Sequence, residues 1–400
     1  MKIRFLSVLL LASVACSNEA RPVQTIDLDS LAGELVPGIE SAVGLSFRYP
    51  PNVASRSTEE VRLFLLDKLA TDFPEEEVEW TTTAYKLFGL IPDTLDLMAL
   101  LVDLYAEQVV GFYDPSSDSL FIVDGADQSQ VFLIMAHELV HALQAQHAPI
   151  EEMLGAKRQN DRTMAAQAVL EGQGMLASLK GIMPDLDVDA MPSFWYEYRE
   201  SVRREQSRMP VFNEAPLLLQ ETLVFPYLYG ADFVRWFERN YPDTLPFGPR
   251  LPESTEQILR PQRYRDGDRP VELEFQGDRT PVYVDNLGEF EIRLLIQILT
   301  DDENRASSVS AGWGGDKYGL FETNSRDALV WYSVWDQTPP AERFHDLMEE
   351  LWIDQALNGR ERRVTLVSVN GRGGVMAIDG PQGWDGFSDP PMVTISENQQ

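Results

Sequence analysis

Two histidines and a glutamate stand close together in the segment His137-Glu138-Leu139-Val140-His141. On an α-helix, residues i and i+4 lie on one face about one turn apart, so the imidazoles of His137 and His141 can reach the same Zn²⁺ ion. Glu138 would lie beside that ion, where it can accept a proton from a water molecule that attacks a carbonyl group. The spacing therefore predicts a zinc-dependent hydrolytic site with Glu138 as the general base.

A predicted helix carries this motif and positions both histidines. Asp127 can cap the helix, with Gln130 as its capping-box partner. The following residues 131–136 are all apolar, and Pro149 ends the helix. Before it, residues 111–123 combine two β-prone runs with a Pro-Ser-Ser-Asp turn, which predicts a β-hairpin. We therefore expect the metal-binding helix to begin in the protein interior, behind a hairpin.

A catalytic zinc ion takes a third protein ligand, for which the sequence offers His147 and Glu171. His147 follows His141 at the spacing found in metzincin peptidases, but those enzymes have glycine where this chain has Gln144. On a continuous helix, His147 would be rotated about 240° from His141 and would face away. Glu171 lies on the next predicted helix, in Glu171-Gly172-Gln173-Gly174, where small residues would let the two helices approach closely. The pattern favours Glu171 and leaves His147 as the alternative.

These segments together resemble the gluzincin branch of the zincin metallopeptidases, in which a glutamate on a second helix follows His-Glu-x-x-His. The runs HELVHALQAQH and AVLEGQGML are similar to a group of mostly uncharacterised bacterial zinc peptidases, and the similarity extends through FPYLYGADFVR, PESTEQILRP, NLGEFEIRLLI and GWGGDKY. The resemblance implies zinc ligands at His137, His141 and Glu171. It also implies a general base at Glu138. Thermolysin-like enzymes have an aspartate at the position of Met175 that supports a zinc-binding histidine, so this support must come from another residue here.

Peptidases often add a tyrosine or histidine that donates a hydrogen bond to the oxyanion. The candidates are Tyr227, Tyr229 and His345. Most aromatic residues in such apolar segments belong to the core, so the sequence does not choose among them. The glycine-rich segment around Trp313, which includes Asp316, is interpreted as structural rather than as a second metal site.

The first residues are typical of an exported protein. Lys2 and Arg4 precede the apolar run 5–15, which has the length of a signal-peptide core and is too short to cross a bilayer. Cys16, the sole cysteine, follows directly, which resembles a bacterial lipoprotein signal and implies cleavage before Cys16 and its lipidation. The segment Ser13-Val14-Ala15 also fits an ordinary cleavage site, so free secretion is the alternative. We expect a location in the periplasm or at the cell surface.

The composition predicts a globular protein with an acidic surface. Apolar residues make up 44% of the chain, enough to bury a sizeable core. The formal net charge of -31 repels phosphate backbones and anionic membranes, which argues against nucleic-acid binding. We therefore expect contact with a membrane only through the lipid anchor.

The order of predicted helices and strands indicates an α+β fold. We predict a zincin-like core, in which the β-hairpin packs on the metal-binding helix and a second helix carries Glu171, followed by a mixed α/β C-terminal region. The predicted divisions are a signal peptide (1–15), a tether (16–30), a mostly helical core (31–260) and the C-terminal region (261–400). Further predicted elements are helices at 57–70, 95–108, 162–180, 195–208, 215–239, 287–300 and 341–357, and a strand pair at 362–379 that turns at Asn370-Gly371.

These features predict a metallopeptidase that binds one zinc ion per chain and acts on a peptide or protein substrate. One alternative is a non-catalytic lipoprotein that keeps the zincin fold and binds zinc structurally. Another is a zinc amidase that cleaves a non-peptide amide, such as a cell-wall crosslink. The intact Glu138 beside a complete ligand set argues against the first alternative.

Overall fold

The structure is a computed structural model that describes residues 26–72, 74–185, 187, 194–323 and 327–396. The predicted signal peptide and the predicted lipidation site at Cys16 lie outside these residues. The described chain combines helices with three β-sheets, which confirms the predicted α+β class. None of the described helices has both the length and the hydropathy that a membrane span requires.

In chain order the helices are α1 (Leu28–Val43), α2 (Thr58–Asp72), α3 (Glu75–Phe88), α4 (Leu97–Gln108), α5 (Gln128–His147), α6 (Ile150–Leu154), α7 (Asn160–Ile182), α8 (Phe194–Gln206), α9 (Pro210–Glu214), α10 (Leu217–Asn240), α11 (Thr255–Leu259), α12 (Pro261–Arg265), α13 (Gly288–Thr300), α14 (Glu303–Val309) and α15 (Thr338–Leu351). The predicted helices at 162–180 and 287–300 are confirmed as α7 and α13. The predicted end of the tether is wrong, because residues 28–30 form the first turn of α1, which Asp27 caps.

Two helix starts show how capping residues set the boundaries. At α2, the N–H of Ser57 donates to Glu60 Oε2 at 2.8 Å, and the N–H of Glu60 donates to Ser57 Oγ at 3.3 Å, which is a capping box. At α4, Asp96 is the cap, because its Oδ1 accepts from the N–H of Ala99 at 3.0 Å. Thr94, two residues earlier, is also a residue type that can cap a helix, but the observed cap agrees with the stronger capping preference of aspartate over threonine.

The strands are β1 (Asn52–Arg56), β2 (Gly111–Asp114), β3 (Ser119–Val123), β4 (Leu273–Gln276), β5 (Tyr283–Asp285), β6 (Trp313–Phe321), β7 (Ala328–Trp335), β8 (Arg360–Val369), β9 (Arg372–Pro381) and β10 (Met392–Ile395). The first sheet has the order β1-β3-β2, and the antiparallel pair β2–β3 confirms the predicted hairpin. The C-terminal sheet is antiparallel throughout, with the order β5-β6-β7-β9-β8. The strands β4 and β10 form a separate pair.

The predicted turn between β8 and β9 is confirmed at Asn370 and Gly371. Both residues have positive φ, 48° and 85°, and Val369 pairs with Arg372 across the two-residue loop. An Asn-Gly pair tolerates these left-handed conformations, which match the twist of the flanking strands. The turn thereby sets the register of the sheet edge.

The helix α7 occupies the centre of the helical region. Its residues from Asn160 to Ser178 are buried, except the exposed Arg162, and it packs against α1, α5 and α10. The contact with α10 is close because glycines face each other: a Cβ at Gly172 would lie 2.2 Å from the carbonyl carbon of Gly230. A helix that packs against neighbours on several sides holds its buried side chains in fixed positions, and Glu171 is one of these side chains.

Buried hydrogen bonds join the regions on either side of the predicted boundary at residue 260. At the start of α7, the N–H of Asn160 donates to Asp285 Oδ1 at 2.8 Å, and its side-chain amide donates to Glu291 Oε1 at 2.9 Å. Within the helical region itself, the next residue, Asp161, accepts from the backbone N–H and the hydroxyl of Thr255. One hydrophobic core also extends across both regions. The C-terminal region therefore helps to hold the first turn of α7 in place.

Asp316 confirms the structural interpretation of the glycine-rich segment. Its carboxylate accepts from the backbone N–H groups of Leu287 and Gly288, each at 2.9 Å, at the start of α13. It also accepts from the indole N–H groups of Trp313 and Trp331. These four donors satisfy both oxygens, so Asp316 anchors α13 to the sheet.

Candidate metal centre

The two helices α5 and α7 bring His137, His141 and Glu171 together. Glu171 Oε2 lies 3.1 Å from His137 Nε2 and 3.2 Å from His141 Nε2. The two Nε2 atoms are 2.9 Å apart. Within the residues that the structure describes, no other group of His, Cys, Asp and Glu side chains converges as closely. This buried group could hold a metal ion.

The size of this triangle fits a small tetrahedral ion. Ligand atoms about 2.0–2.1 Å from a zinc ion in a tetrahedron are about 3.3 Å from one another. The three observed separations, 2.9, 3.1 and 3.2 Å, fall slightly below that value. The side chains would have to spread by less than about half an ångström to hold zinc, with one coordination position left open.

Gly174 explains why α7 can approach α5 so closely. A Cβ at Gly174 would lie 2.7 Å from Cε1 of His137, well inside van der Waals contact. The expectation that small residues beside Glu171 admit the neighbouring helix is therefore confirmed for Gly174. It is wrong for Gly172, which faces Gly230 on α10 instead.

The two carboxylate oxygens of Glu138 have different surroundings. The backbone N–H of Tyr113 in β2 donates to Glu138 Oε2 at 2.8 Å, so the hairpin orients this side chain. Glu138 Oε1 is buried and has no hydrogen-bond partner among the described residues. Burial raises the pKa of Glu138 to about 8. A carboxyl group with a pKa near neutrality can both accept and release a proton.

The charges of the three candidate ligands are coupled. Burial alone would lower the pKa of His141, but the adjacent Glu171 carboxylate outweighs it and raises that pKa. Burial would likewise raise the pKa of Glu171, but positive charge on His141 and hydrogen bonds from the histidines lower it. Burial lowers the pKa of His137. Positive charge on His141 and negative charge on Glu171 therefore stabilise each other in this buried group.

Gln144, and not Met175, makes the hydrogen bond that orients one of the two histidines. The Nδ1–H of His141 donates to Gln144 Oε1 at 2.8 Å. Met175 is buried, and its sulfur accepts from the hydroxyl of Tyr198 at 3.8 Å. Our sequence interpretation treated Gln144 only as the residue that replaces a metzincin glycine. The signal present in the sequence is a glutamine three residues after His141, on the same side of the helix.

His147 lies away from the centre. The helix α5 continues to this residue, and the Nε2–H of His147 donates to the carbonyl oxygen of Ser46 at 2.8 Å. The alternative in which His147 turns inward as the third ligand is therefore wrong, for the helical reason anticipated in the sequence.

Of the three candidate oxyanion donors, Tyr227 lies beside the centre. Its ring centroid is 6.0 Å from that of His137. Tyr229 instead stacks on Phe225, with the Arg293 guanidinium 6.0 Å from its ring centroid. His345 lies on α15 and pairs with the exposed Asp346 at 3.1 Å. The structure thus separates two tyrosines that the sequence could not.

The centre is closed to solvent. The exposed fractions of His137, Glu138 and His141 are 0%, and that of Glu171 is 4%. Electrostatic interactions are stronger in such surroundings than in water. All four side chains are therefore enclosed by the protein in this structure.

The known proteins to which this chain is similar either match a segment outside the candidate metal centre or are only distantly similar. Residues 275–382 match a family model described as "Domain of unknown function (DUF8575)", a segment that does not include the metal centre. No curated protein matches the sequence. A solved structure described as that of "a putative hydrolase with a novel fold from Chloroflexus aurantiacus" is 18% identical, with a TM-score of 0.39, over 61% of this chain and 91% of that chain. A similarity of that size does not establish a shared fold.

Proposed function

We propose that this protein is a zinc metallopeptidase in which His137, His141 and Glu171 bind the ion and Glu138 is the general base. The observation that carries the proposal is the convergence of three ligand atoms within 3.2 Å of one another. Beside them, one carboxylate oxygen of Glu138 accepts from the N–H of Tyr113, and the other has no partner among the described residues. The zincin-like core that we propose with it consists of the β2–β3 hairpin, which packs on α5, and of α7.

The donor set favours zinc over other common ions. Two imidazole nitrogens and one carboxylate oxygen are the ligands of many catalytic zinc sites, whereas Mg²⁺ and Ca²⁺ prefer oxygen ligands alone. When bound, zinc would supply a Lewis acid that polarises a carbonyl group and makes water more acidic.

Glu138 would carry the proton transfers. The N–H of Tyr113 fixes Oε2 and so leaves Oε1 as the proton acceptor. A general base in hydrolysis takes a proton from water and then gives it to the leaving amine. The unpaired oxygen also argues against a purely structural zinc site, where buried polar atoms are normally satisfied.

Tyr227 is the proposed donor to the oxyanion, because of the three candidates its ring lies nearest to His137. A hydroxyl donor that binds the developing negative charge contributes on the order of 10²–10³-fold to the rate. Its position on α10, which packs against α7, ties this donor to the helix that carries Glu171.

We further propose that the enzyme acts outside the cytoplasm, anchored through Cys16, on peptides or proteins. This part rests on the N-terminal sequence and on the resemblance of the HELVHALQAQH and AVLEGQGML segments to zinc peptidases. The negative net charge of -31 favours substrates with basic residues over acidic ones.

Elemental analysis and a peptide-library assay with mass-spectrometric detection test the proposal. We expect about one zinc per chain, cleavage of peptides by the wild type, and no cleavage by Glu138→Gln with its zinc retained. A wild type without zinc, or a fully active Glu138→Gln variant, would refute it. Cleavage of cell-wall fragments without cleavage of peptides would establish the amidase alternative instead.

A further inference from the structure

Gln144 is a fully buried amide in the middle of the metal centre. It lies on α5, three residues after His141, and its exposed fraction is 0%. Burial of an amide without hydrogen bonds costs several kcal/mol, so such a side chain persists where its polar atoms are paired.

All the polar groups of this amide have partners. Gln144 Oε1 accepts from the Nδ1–H of His141 at 2.8 Å. Gln144 Nε2 donates to the carbonyl oxygen of Leu170 at 3.0 Å and to Gln173 Oε1 at 2.9 Å. A glutamine amide has two N–H donors and one carbonyl oxygen, and here each of them is used.

These partners allow one orientation of the amide. If Gln144 were flipped, its oxygen would face the carbonyl oxygen of Leu170, which can only accept. Its NH₂ group would then face Nδ1 of His141. The carbonyl oxygen of Leu170 belongs to the helix backbone and can only accept, so it fixes the orientation of the Gln144 amide. Gln144 Oε1 then faces His141 Nδ1, so a neutral His141 must carry its proton on Nδ1. The Nε2 lone pair of His141 is then directed to the ligand group.

The same amide reaches the second ligand-bearing helix. Leu170 immediately precedes Glu171, and Gln173 lies on the same turn of α7. The distance from His141 to the backbone beside Glu171 is therefore set by two consecutive hydrogen bonds through Gln144. One side chain controls both the ring orientation of one ligand and the placement of another.

We propose that Gln144 is a positioning residue that joins α5 to α7 and presents His141 to the metal through Nε2. The proposal rests on the proposed function only in treating His137, His141 and Glu171 as a metal site. It predicts that loss of the amide weakens metal binding beyond any general loss of stability.

The chain offers a matched control in Gln146. This glutamine lies on the same helix, is 5% exposed, and also pairs both ends of its amide, since Oε1 accepts from the N–H of Arg48 at 2.8 Å and Nε2 donates to the carbonyl oxygen of Tyr49 at 3.1 Å. Neither of these hydrogen bonds involves the three candidate ligands. Gln146→Met therefore removes an equivalent buried amide from the other face of α5.

The first measurement is zinc affinity, from competition with a chromophoric chelator, for the wild type, Gln144→Met and Gln146→Met. Changes to groups that orient a metal ligand typically cost 10–100-fold in affinity. We expect a loss of about that size in Gln144→Met and less than about threefold in Gln146→Met. Equal losses in the two variants, in step with their stabilities, would overturn the positioning role.

The second measurement is independent of metal binding. In protein labelled with ¹⁵N-histidine, the His141 Nδ1–H that donates to Gln144 should give a slowly exchanging, downfield proton signal. We expect the signal in the wild type and in Gln144→Glu, which keeps an acceptor oxygen, and its loss in Gln144→Met. A wild type that lacks the signal contradicts the proposal, whereas a wild type that shows it but binds no zinc contradicts the proposed function alone.

Discussion

At Gly174, the addition of a single methyl group should weaken zinc binding more than it lowers the stability of the protein. In Gly174→Ala, the new Cβ would lie 2.7 Å from His137 Cε1, 3.1 Å from Nδ1 and 3.2 Å from Nε2. Carbon atoms in contact are about 3.5–4.0 Å apart, so the ring and the methyl group must separate by roughly 1 Å. His137 is fully buried in the middle of α5, so the ring has no open space to enter.

Two opposing contributions set the expected stability of this variant. Alanine is favoured over glycine within a helix by about 1 kcal/mol. Overpacking of a buried site costs about 1–3 kcal/mol. The free energy of unfolding of the metal-free protein should therefore fall by about 0–2 kcal/mol.

The effect of Gly174→Ala on zinc should be larger than its effect on stability. Metal–ligand distances in a functional site are held within about 0.2 Å. A displacement of His137 by several tenths of an ångström exceeds that tolerance. We expect zinc affinity to fall at least tenfold, which corresponds to about 1.4 kcal/mol or more.

Two other glycines serve as controls. A Cβ at Gly172 would lie 2.2 Å from the backbone of Gly230, so Gly172→Ala should destabilise the protein more than Gly174→Ala does, with a smaller relative effect on zinc. At Gly33 on α1, nothing lies within 4 Å of a Cβ, so Gly33→Ala should be stabilising by up to about 1 kcal/mol.

Urea denaturation of the metal-free proteins and zinc titration against a competing chelator provide the measurements. The reasoning is refuted if Gly174→Ala binds zinc as tightly as the wild type. It is also refuted if zinc affinity across the three variants simply follows their stability.

Three further predictions concern a titrating group, the proposed oxyanion donor and the excluded ligand. Burial raises the pKa of Asp161 to about 8, so from about pH 4 upward the unfolded chain loses a proton that the folded chain keeps. The free energy of unfolding should fall as the pH rises towards 8, and Asp161→Asn should flatten that slope; an unchanged slope in urea titrations would contradict this. Tyr227→Phe should lower kcat by about 10²–10³-fold at unchanged zinc content, and a wild-type kcat would remove the residue from the mechanism. Because His147 binds the carbonyl of Ser46 and not the centre, His147→Ala should keep one zinc per chain by elemental analysis; a zinc-free variant would count against Glu171 as the third ligand.

The sequence was sufficient to predict that the side chains of His137, His141 and Glu171 converge, for reasons that are local. Two histidines at i and i+4 must share a helix face, whatever the rest of the fold. Glycine in a helix otherwise rich in alanine and leucine is costly, so Gly174 indicated a close approach near Glu171. The hairpin and the turn at Asn370 follow from equally local rules.

The parts that the sequence did not predict depend on distances between elements. The amide of Gln144 acquires its function only because Leu170 lies 3.0 Å away on another helix. Gly172 and Gly174 are equivalent in the sequence, but they face α10 and α5 respectively. Which of Tyr227 and Tyr229 faces the centre depends on the rotation of α10, which the apolar residues on all its sides do not define.

The burial of the three candidate ligands should affect the rate of metal exchange as well as the affinity for the metal. An ion cannot enter or leave a centre enclosed between α5 and α7 unless the helices separate locally, so exchange should be limited by that opening. With excess chelator, the rate of metal loss should then reach a plateau set by the protein and not by the chelator. A bound ion would then be the one that was present when the centre last closed, and it would remain bound long after the concentrations of metal ions in solution had changed.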